Sequence, residues 1–318
     1  MVTGVLVVVV THRSQNTLPT AWRSLLAQRH DLPDRTAADV RIRIVDSASP
    51  DGTVELARRL VDQARSEGVD ADVIALDRNI GYAAAINRAR RDRLPGETVV
   101  VMNPDLVLTD GCLARLLVAL DDPLVGVAVP RLLDGQGRTL RSRRRHPTLR
   151  RMLGEALWGD HWQHRPAWLA EVCRDDHEAV RPCDVDWATG ALMAIGDDCD
   201  RAVGDWDERY FLYGEEVDVA RRATSLGFRV RYVPTAQACH AEGGSGRRPE
   251  LTALATWNRL RDLFWNRGPA PAAAGWCIAV LHSALRWRRR EQRVVLAWLL
   301  PVRRHPITTL IRDLSGVS

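Results

Sequence analysis

The sequence predicts an α/β fold: a mostly parallel central sheet flanked by helices, followed by a helical C-terminal extension. Three observations carry this reading. Near-continuous β-branched runs mark strands covered on both faces. Strand and helix patterns alternate four times across the first 105 residues. Beyond Pro249 only helical spacing of apolar residues remains.

Gly4 to Val10 is the first strand, and Leu18, Trp22, Leu25 and Leu26 return on one face of the helix after it. Arg41 to Val45 is the second strand, with Asp46 at its carboxyl end. The turn Ser49-Pro50-Asp51-Gly52-Thr53 leads into a helix over Val54 to Ala64. Ala71 to Leu76 is the third strand, and Asn79-Ile80-Gly81-Tyr82 turns the chain into a helix over Ala83 to Arg91. Thr98 to Met102 is the fourth strand, ending at Asn103-Pro104-Asp105. In open sheets of this kind ligands collect outside the carboxyl ends of the strands. Asp46, Asn79 and Asp105, though distant in sequence, are therefore expected in one crevice.

The second half is less regular. Gly126 to Leu133 and Leu192 to Ile195 read as strands, and Phe228 to Val233 as a strand ending at Pro234. Arg141 to Pro147 reads as a basic loop, Met152 to Ala170 as a Trp- and His-rich helix, and Phe211 to Thr224 as a charged helical stretch. The expected division is a catalytic domain over 1–248, with 1–125 serving mainly the nucleotide and 126–248 mainly the acceptor, then an extension over 249–318. Its helices span Leu251 to Trp265, Ala272 to Trp287 and Val294 to Leu300, with Pro269-Ala270-Pro271 separating the first two.

Composition excludes some classes. Hydrophobic residues at 46% and charged residues at 27% of 318 describe a folded chain rather than a disordered one. The excess of 45 Lys+Arg over 40 Asp+Glu is concentrated at Arg141, Arg143, Arg144 and Arg145 and around Trp287 at Arg286, Arg288, Arg289 and Arg290. Such clusters suit phosphates, an anionic membrane surface, nucleic acid or simple solvation. The six cysteines have no CxxC spacing and read as reduced thiols. Val5 to Val10 follows no basic segment and reads as a core strand, not a leader, so a cytoplasmic protein is expected. The apolar run Ala272 to Val280 falls short of the roughly 20 residues needed to cross a bilayer. With Trp and Arg at its end it suits a helix lying in the membrane interface, or equally one packed on the core or on a second subunit of a homodimer.

Asp105 follows an apolar strand directly, which presents its carboxylate to the crevice, where it can ligate Mg²⁺ or Mn²⁺ in contact with diphosphate oxygens. Asp46 can accept from a pyrimidine N3–H or a ribose hydroxyl; the alternative is local capping by Asp46, Ser47 and Ser49. Arg78, beside Asp77, can approach a phosphate or face solvent. Gly214 precedes Glu215 and Glu216 at an expected helix start. Neighbours on a helix diverge by roughly 100°, so one of the two is the candidate base for an acceptor hydroxyl. His240 can complete a metal site, touch a diphosphate or simply fill a loop, and Gly243-Gly244-Ser245-Gly246 offers backbone amides to anionic oxygens.

Several of these segments, in this order, resemble the motifs of the inverting glycosyltransferase family 2, which has the GT-A nucleotide-diphospho-sugar transferase fold. The resemblance runs from the first strand to about Ser245. Val45-Asp46-Ser47-Ala48-Ser49-Pro50-Asp51-Gly52-Thr53 is similar to V-D-N-A-S-x-D-G-T, and Asn79-Ile80-Gly81-Tyr82-Ala83-Ala84-Ala85-Ile86-Asn87 to N-x-G-[FY]-[AG]-x-[AG]-x-N. Asn103-Pro104-Asp105 stands where the family has its Asp-x-Asp-like metal motif. Gly214 to Asp218 resembles G-E-D-x-D, and His240 with Ser245 the later H-x-x-x-x-S.

The resemblance implies a metal at Asp105 and His240, and base catalysis by Glu216 with Glu215 as its alternative. It implies donor contacts from Thr11, His12, Asp46, Ser47, Asp77, Arg78, Asn79, Gly81, Asn87, Asn103, Pro104 and Asp105, and from Trp187, Thr189, Gly190 and Ala191. Two residues depart from the pattern: Ser47 replaces Asn, and Glu216 replaces Asp, lengthening the carboxylate by one methylene. The Asn-Pro-Asp, Arg-Arg-Arg-His-Pro and Phe-Leu-Tyr-Gly-Glu segments resemble the rhamnosyltransferase subgroup. That implies dTDP-L-rhamnose as donor and a saccharide on a polyprenyl diphosphate as acceptor. A UDP- or GDP-hexose donor and a soluble natural-product acceptor form the alternative. A nucleotidyltransferase would need a glycine-rich loop after the first strand, and Thr11 to Asn16 has no glycine. A nucleic-acid binder would leave the acidic motifs unexplained. A non-catalytic sugar-nucleotide-binding protein is the remaining reading from another class.

Overall fold

The computed structural model describes residues 4–32, 40–159, 161–175, 178–240 and 248–300. The strands are β1 (Gly4–Thr11), β2 (Val40–Asp46), β3 (Asp70–Ala75), β4 (Glu97–Met102), β5 (Leu106–Leu108), β6 (Val125–Leu133), β7 (Arg143–Arg144), β8 (Cys183–Val185), β9 (Trp187–Ala188), β10 (Leu192–Ile195) and β11 (Arg229–His240). The helices are α1 (Leu18–Ala27), α2 (Thr53–Ser66), α3 (Tyr82–Ala89), α4 (Cys112–Ala119), α5 (Leu149–Leu157), α6 (Asp197–Val203), α7 (Glu215–Ser225), α8 (Pro249–Arg267), α9 (Pro269–Leu285) and α10 (Arg290–Leu299).

The main sheet runs β3-β2-β1-β4-β10-β6-β11-β5, with β8 also paired to β11. Its first four strands are parallel, and their register sets Thr11 opposite Asp46 and Asp46 opposite Ala75. The expected crevice thus exists because three strands end at one level. Strand β10 enters antiparallel, with Leu192 opposite Met102, and carries the chain into the second half of the sheet. Alternation along β1 divides the core. Val5, Val7 and Val9 pack toward α1, α2 and α4, while Leu6, Val8 and Val10 pack toward α3, α6 and α7. A third core joins Met152 of α5 to Leu254, Leu260 and Leu263 of α8, Ala279 of α9 and Trp298 of α10. The C-terminal helices are therefore anchored to the catalytic half through their own apolar cluster.

Several expectations are corrected. Strand β11 does not stop at Pro234 but runs on to His240, with a register shift between Val233 and Gln237. A bulge accommodates a residue that cannot donate to the ladder, so proline bends this strand without ending it. The helix expected over Met152 to Ala170 closes at Leu157. Gly159 at φ 49° turns the chain, and Arg165 organises the following loop by donating to the carbonyls of Trp162 and Leu169. The basic segment Arg141 to Pro147 is not a solvated loop. It contains β7, paired with β9, and its buried Arg143 lies over the Tyr232 ring. Phe211 to Tyr213 precede a helix that begins only at Glu215. Pro269 and Pro271 lie in the first turn of α9, where a missing N–H costs nothing, and Gly268 makes the break. The glycine loop with Ser245 lies outside the described residues. The cysteines are free thiols. Among the described residues no helix is long and apolar enough to cross a membrane.

Candidate active site

A cavity of about 330 Å³ opens at the carboxyl ends of β1, β2 and β4. Of the residues expected to bind donor, Thr11, His12, Ser47, Asn79, Gly81, Asn103, Pro104 and Asp105 line it, together with His240. Asp46 lies one layer behind. It is fully buried, and its carboxylate accepts from Thr11 Oγ1 (2.8 Å), Ser49 Oγ (2.6 Å) and the Ser49 amide (2.7 Å). These bonds let Asp46 brace the wall, and Ser47, whose buried Oγ has no hydrogen-bond partner, borders the cavity. His12 Nδ1 lies 2.9 Å from the Ser47 carbonyl and holds this wall to β1.

Asn79 Oδ1 accepts from the Gly81 amide, an Asx turn that shapes the next wall. Gly81 sits at φ +92°, and a Cβ there would lie 2.6 Å from the Phe211 carbonyl oxygen. Only glycine permits that approach, which lets the Tyr82 amide donate to Phe211 O at 2.6 Å and brings the acidic segment against α3. Asp77, Arg78 and Asn87, like Asp46 and residues 187–191, do not line this cavity. Asp77 and Arg78 are exposed on the turn before it. Asn87 is buried away from it, donating to Trp206 O and Glu208 Oε1 and accepting from the Trp206 amide. It is a packing tie between α3 and the chain before the acidic segment.

Strand β11 delivers His240 opposite Leu106, just beyond Asp105. The imidazole Nε2 lies 3.2 Å from Asp105 Oδ1, and that buried oxygen accepts no hydrogen bond. An anionic oxygen left unsatisfied beside an imidazole fits a divalent cation, and the donor set suits Mg²⁺ or Mn²⁺. Among the described residues there is no group of three or more His, Cys, Asp or Glu able to hold a metal. A cation here would complete its shell with phosphate oxygens and water.

Residues 187–191 connect this corner to the second acidic centre. The Asn103 amide donates to Ala191 O at 2.8 Å, and Thr189 N to Ser142 O at 3.1 Å. A Cβ at Gly190 would stand 3.2 Å from Glu216 Cβ, so the small residue lets Glu216 pack directly on this segment. Glu216 and Trp187 line a second cavity of about 150 Å³, and Tyr213 lines both cavities. Burial lifts the Tyr82 and Tyr213 phenols above their ordinary range, and the charges of Glu215, Glu216 and Asp105 add to the shift at both rings. Tyr213 thus stands between the cavity of Asp105 and that of Glu216.

The carboxylates differ in surroundings. Glu215 is 4% exposed with Oε2 unbonded, and burial followed by the charge of Glu216 pushes it up to about 8. Glu216 is also raised by burial, but its Oε2 accepts from the Gly214 amide at 3.0 Å and it faces the second cavity.

Sequence reasoning missed several contributors. Tyr82 donates from its hydroxyl to Asn103 Oδ1 at 2.9 Å, orienting the amide before Asp105. Arg248 and Leu251 carry the start of α8 into the wall of the larger cavity. Asn258, 1% exposed on α8, donates to the carbonyls of Tyr210, Leu212 and Tyr213 and holds the loop ahead of Glu215. The same loop is fixed by Tyr210, whose hydroxyl donates to Asp262 at 2.7 Å. Asn258→Ala leaves three buried carbonyls without that donor. It is expected to cost roughly 1–3 kcal/mol in urea unfolding and to lower kcat more than donor affinity.

Among solved structures, a mannosyltransferase from Pyrobaculum calidifontis in complex with GDP-Man and Mn²⁺ matches with TM-score 0.55 and 18% identity, over 97% of this chain and 78% of that one. GalNAc-T7 with UDP, GalNAc and Mn²⁺ matches with TM-score 0.57 and 16% identity, over 83% of this chain and 50% of that chain, so this chain spans half of its length. These likenesses show the GT-A fold. In sequence the chain is 29% identical over 263 residues to N-acetylglucosaminyl-diphospho-decaprenol L-rhamnosyltransferase of Mycobacterium tuberculosis, covering 79% of this chain and 81% of that protein. The model of glycosyl transferase family 2 matches residues 6–180. Sharing that family's sequence over more than half its length, the chain belongs to glycosyl transferase family 2 and is a glycosyltransferase.

Proposed function

We propose that the protein transfers L-rhamnose from dTDP-L-rhamnose to a hydroxyl of a saccharide carried on a polyprenyl diphosphate, with inversion at the anomeric carbon, as a step in building a cell-wall or surface polysaccharide. The observation that carries the reading is the pairing of Asp105 with His240 in one cavity that Tyr213 joins to the second cavity, lined by Glu216. The mycobacterial relative, named for rhamnose transfer to a diphospho-decaprenol acceptor, supports the donor and acceptor. Thr11, His12 and Ser47 receive the nucleotide end, and Asn103 and Asp105 lie toward the diphosphate. A divalent cation held by Asp105 and His240 would neutralise the charge that develops on the leaving nucleotide. Glu216 takes the proton of the acceptor hydroxyl as its oxygen bonds to the anomeric carbon and the bond to phosphate breaks. Glu215, kept protonated by burial, adds no second negative charge beside it. The work is done at the cytoplasmic face of the membrane, where the lipid-linked acceptor is presented.

The test is a donor screen. With Mg²⁺ or Mn²⁺, dTDP-L-rhamnose is expected to raise the melting temperature by several degrees and to support transfer to a polyprenyl-diphosphate-linked saccharide. Chelation with EDTA abolishes both. Stabilisation and turnover with UDP- or GDP-hexoses alone would overturn the donor, and turnover only on soluble acceptors would overturn the lipid-linked substrate.

A further inference from the structure

Helix α9 is apolar on a face that no described residue covers. Ala270, Ala273, Ala274, Cys277, Leu281 and Leu285 are exposed, at the spacing of one helical stripe. At 1.5 Å per residue the stripe is about 20–25 Å long. From Pro269 to Leu285 the sequence has no Asp, Glu, Lys or Arg. Its one histidine, His282, is held at about 4 by burial and by the charge of Arg286, so the helix is uncharged at neutral pH.

The stripe continues onto α5. Arg286 donates to the carbonyls of Ala156 (2.6 Å) and Glu155 (3.1 Å), which locks the end of α9 to the end of α5. There Leu153 and Leu157 are exposed, followed by Trp158 and Trp162, whose rings meet edge to face at 5.5 Å. The acid of α5, Glu155, is engaged by Arg165 and Arg174. At the end of α9, Trp287 is 58% exposed, and Arg288, Arg289 and Arg290 are exposed beside it. An apolar stripe bordered by tryptophans and then by arginines is the order of layers met on entering a bilayer with anionic headgroups.

We propose that the α5–α9 face docks on an anionic phospholipid surface, with its leucines and tryptophans in the headgroup–acyl boundary and Arg288 to Arg290 on lipid phosphates. Charge selects the lipid over a second copy of the chain, because among the described residues the same face on a partner offers no exposed acid to answer the arginines. The surface and the catalytic loop are mechanically joined. α8 packs against α9 through the third core, and its Asn258 holds the loop before Glu215. The inference deepens the reading of a lipid-linked acceptor, but its test needs no sugar transfer.

The full chain is expected to sediment with vesicles of phosphatidylglycerol and phosphatidylcholine, and far less with phosphatidylcholine alone. Arg288→Ser/Arg289→Ser/Arg290→Ser and, separately, Leu285→Ser/Trp287→Ala should each weaken vesicle binding tenfold or more. Both variants should keep the wild-type melting temperature and donor shift. Equal binding by variants and wild type, or no preference for anionic vesicles, would overturn the proposal. So would a concentration-dependent dimer that both variants abolish without any binding of the wild type to vesicles. Vesicle binding without transfer to a lipid-linked acceptor would reject the substrate and keep the surface, and the converse result would keep the substrate.

Discussion

Replacing Asp105 by alanine is expected to lower kcat/KM for sugar transfer by about 10²–10³-fold while the chain stays folded. Asp105 follows β4, and its Oδ1 is buried, accepts no hydrogen bond and lies 3.2 Å from His240 Nε2. A carboxylate in that condition is a liability to the fold unless something positive meets it, so its removal should leave the melting temperature unchanged or slightly raised. The loss belongs to chemistry. Asp105→Ala should also weaken Mn²⁺ binding, read by electron paramagnetic resonance with nucleotide diphosphate present, and His240→Ala should weaken it by a smaller factor. Near-native turnover in Asp105→Ala would remove the carboxylate from the proposed site. Lost turnover with unchanged Mn²⁺ affinity would move the cation elsewhere.

The parts of this site that were legible in the sequence are those fixed by local chemistry. A β-branched run ending in an acid, repeated with helices between, places the acids at one edge whatever the details, and Asp105 and His240 do meet there. The strand extension that carries His240 was not legible, because Pro234 locally reads as a stop and only the pairing partner β6 shows that a bulge absorbs it. Asp46 and Asn87 resembled ligand contacts, and the structure shows ties that the motifs did not reveal: Asp46 accepts from Ser49 and Thr11, and the Asn87 amide joins Trp206 and Glu208. A motif records that a side chain is needed and is silent on whether it faces inward or outward. Asn258 left no local signal at all. It is one polar residue in a helix of mixed composition, and its three acceptors lie at least 45 positions away. Long-range closure of this kind is what the unexpected tie between α8 and the catalytic loop consists of.

Glu216→Gln and Glu215→Gln should separate the two carboxylates. Glu216 faces the second cavity and is held by the Gly214 amide, so its amide variant is expected to bind donor normally and to lose about 10²–10⁴-fold in kcat. Glu215 is buried, with its pKa pushed up to about 8 from an ordinary 4.5. The unfolded chain gives up this proton near the ordinary value and the folded chain only near the raised one. The protonated group therefore favours the folded state most at low pH, and stability is lost as pH climbs through that window. Glutamine copies the neutral form, so Glu215→Gln should retain much of the activity at neutral pH. Its urea midpoint should fall less than that of the wild type between pH 5 and about 8. Proton abstraction by Glu216 runs the opposite way, since burial raises it too and transfer must increase as it ionises. Glu215→Gln should leave the pH at which transfer reaches half its maximum nearly unchanged, because Glu215 is still protonated when Glu216 ionises. If Glu215→Gln instead abolishes turnover and Glu216→Gln leaves it standing, the base is the buried residue.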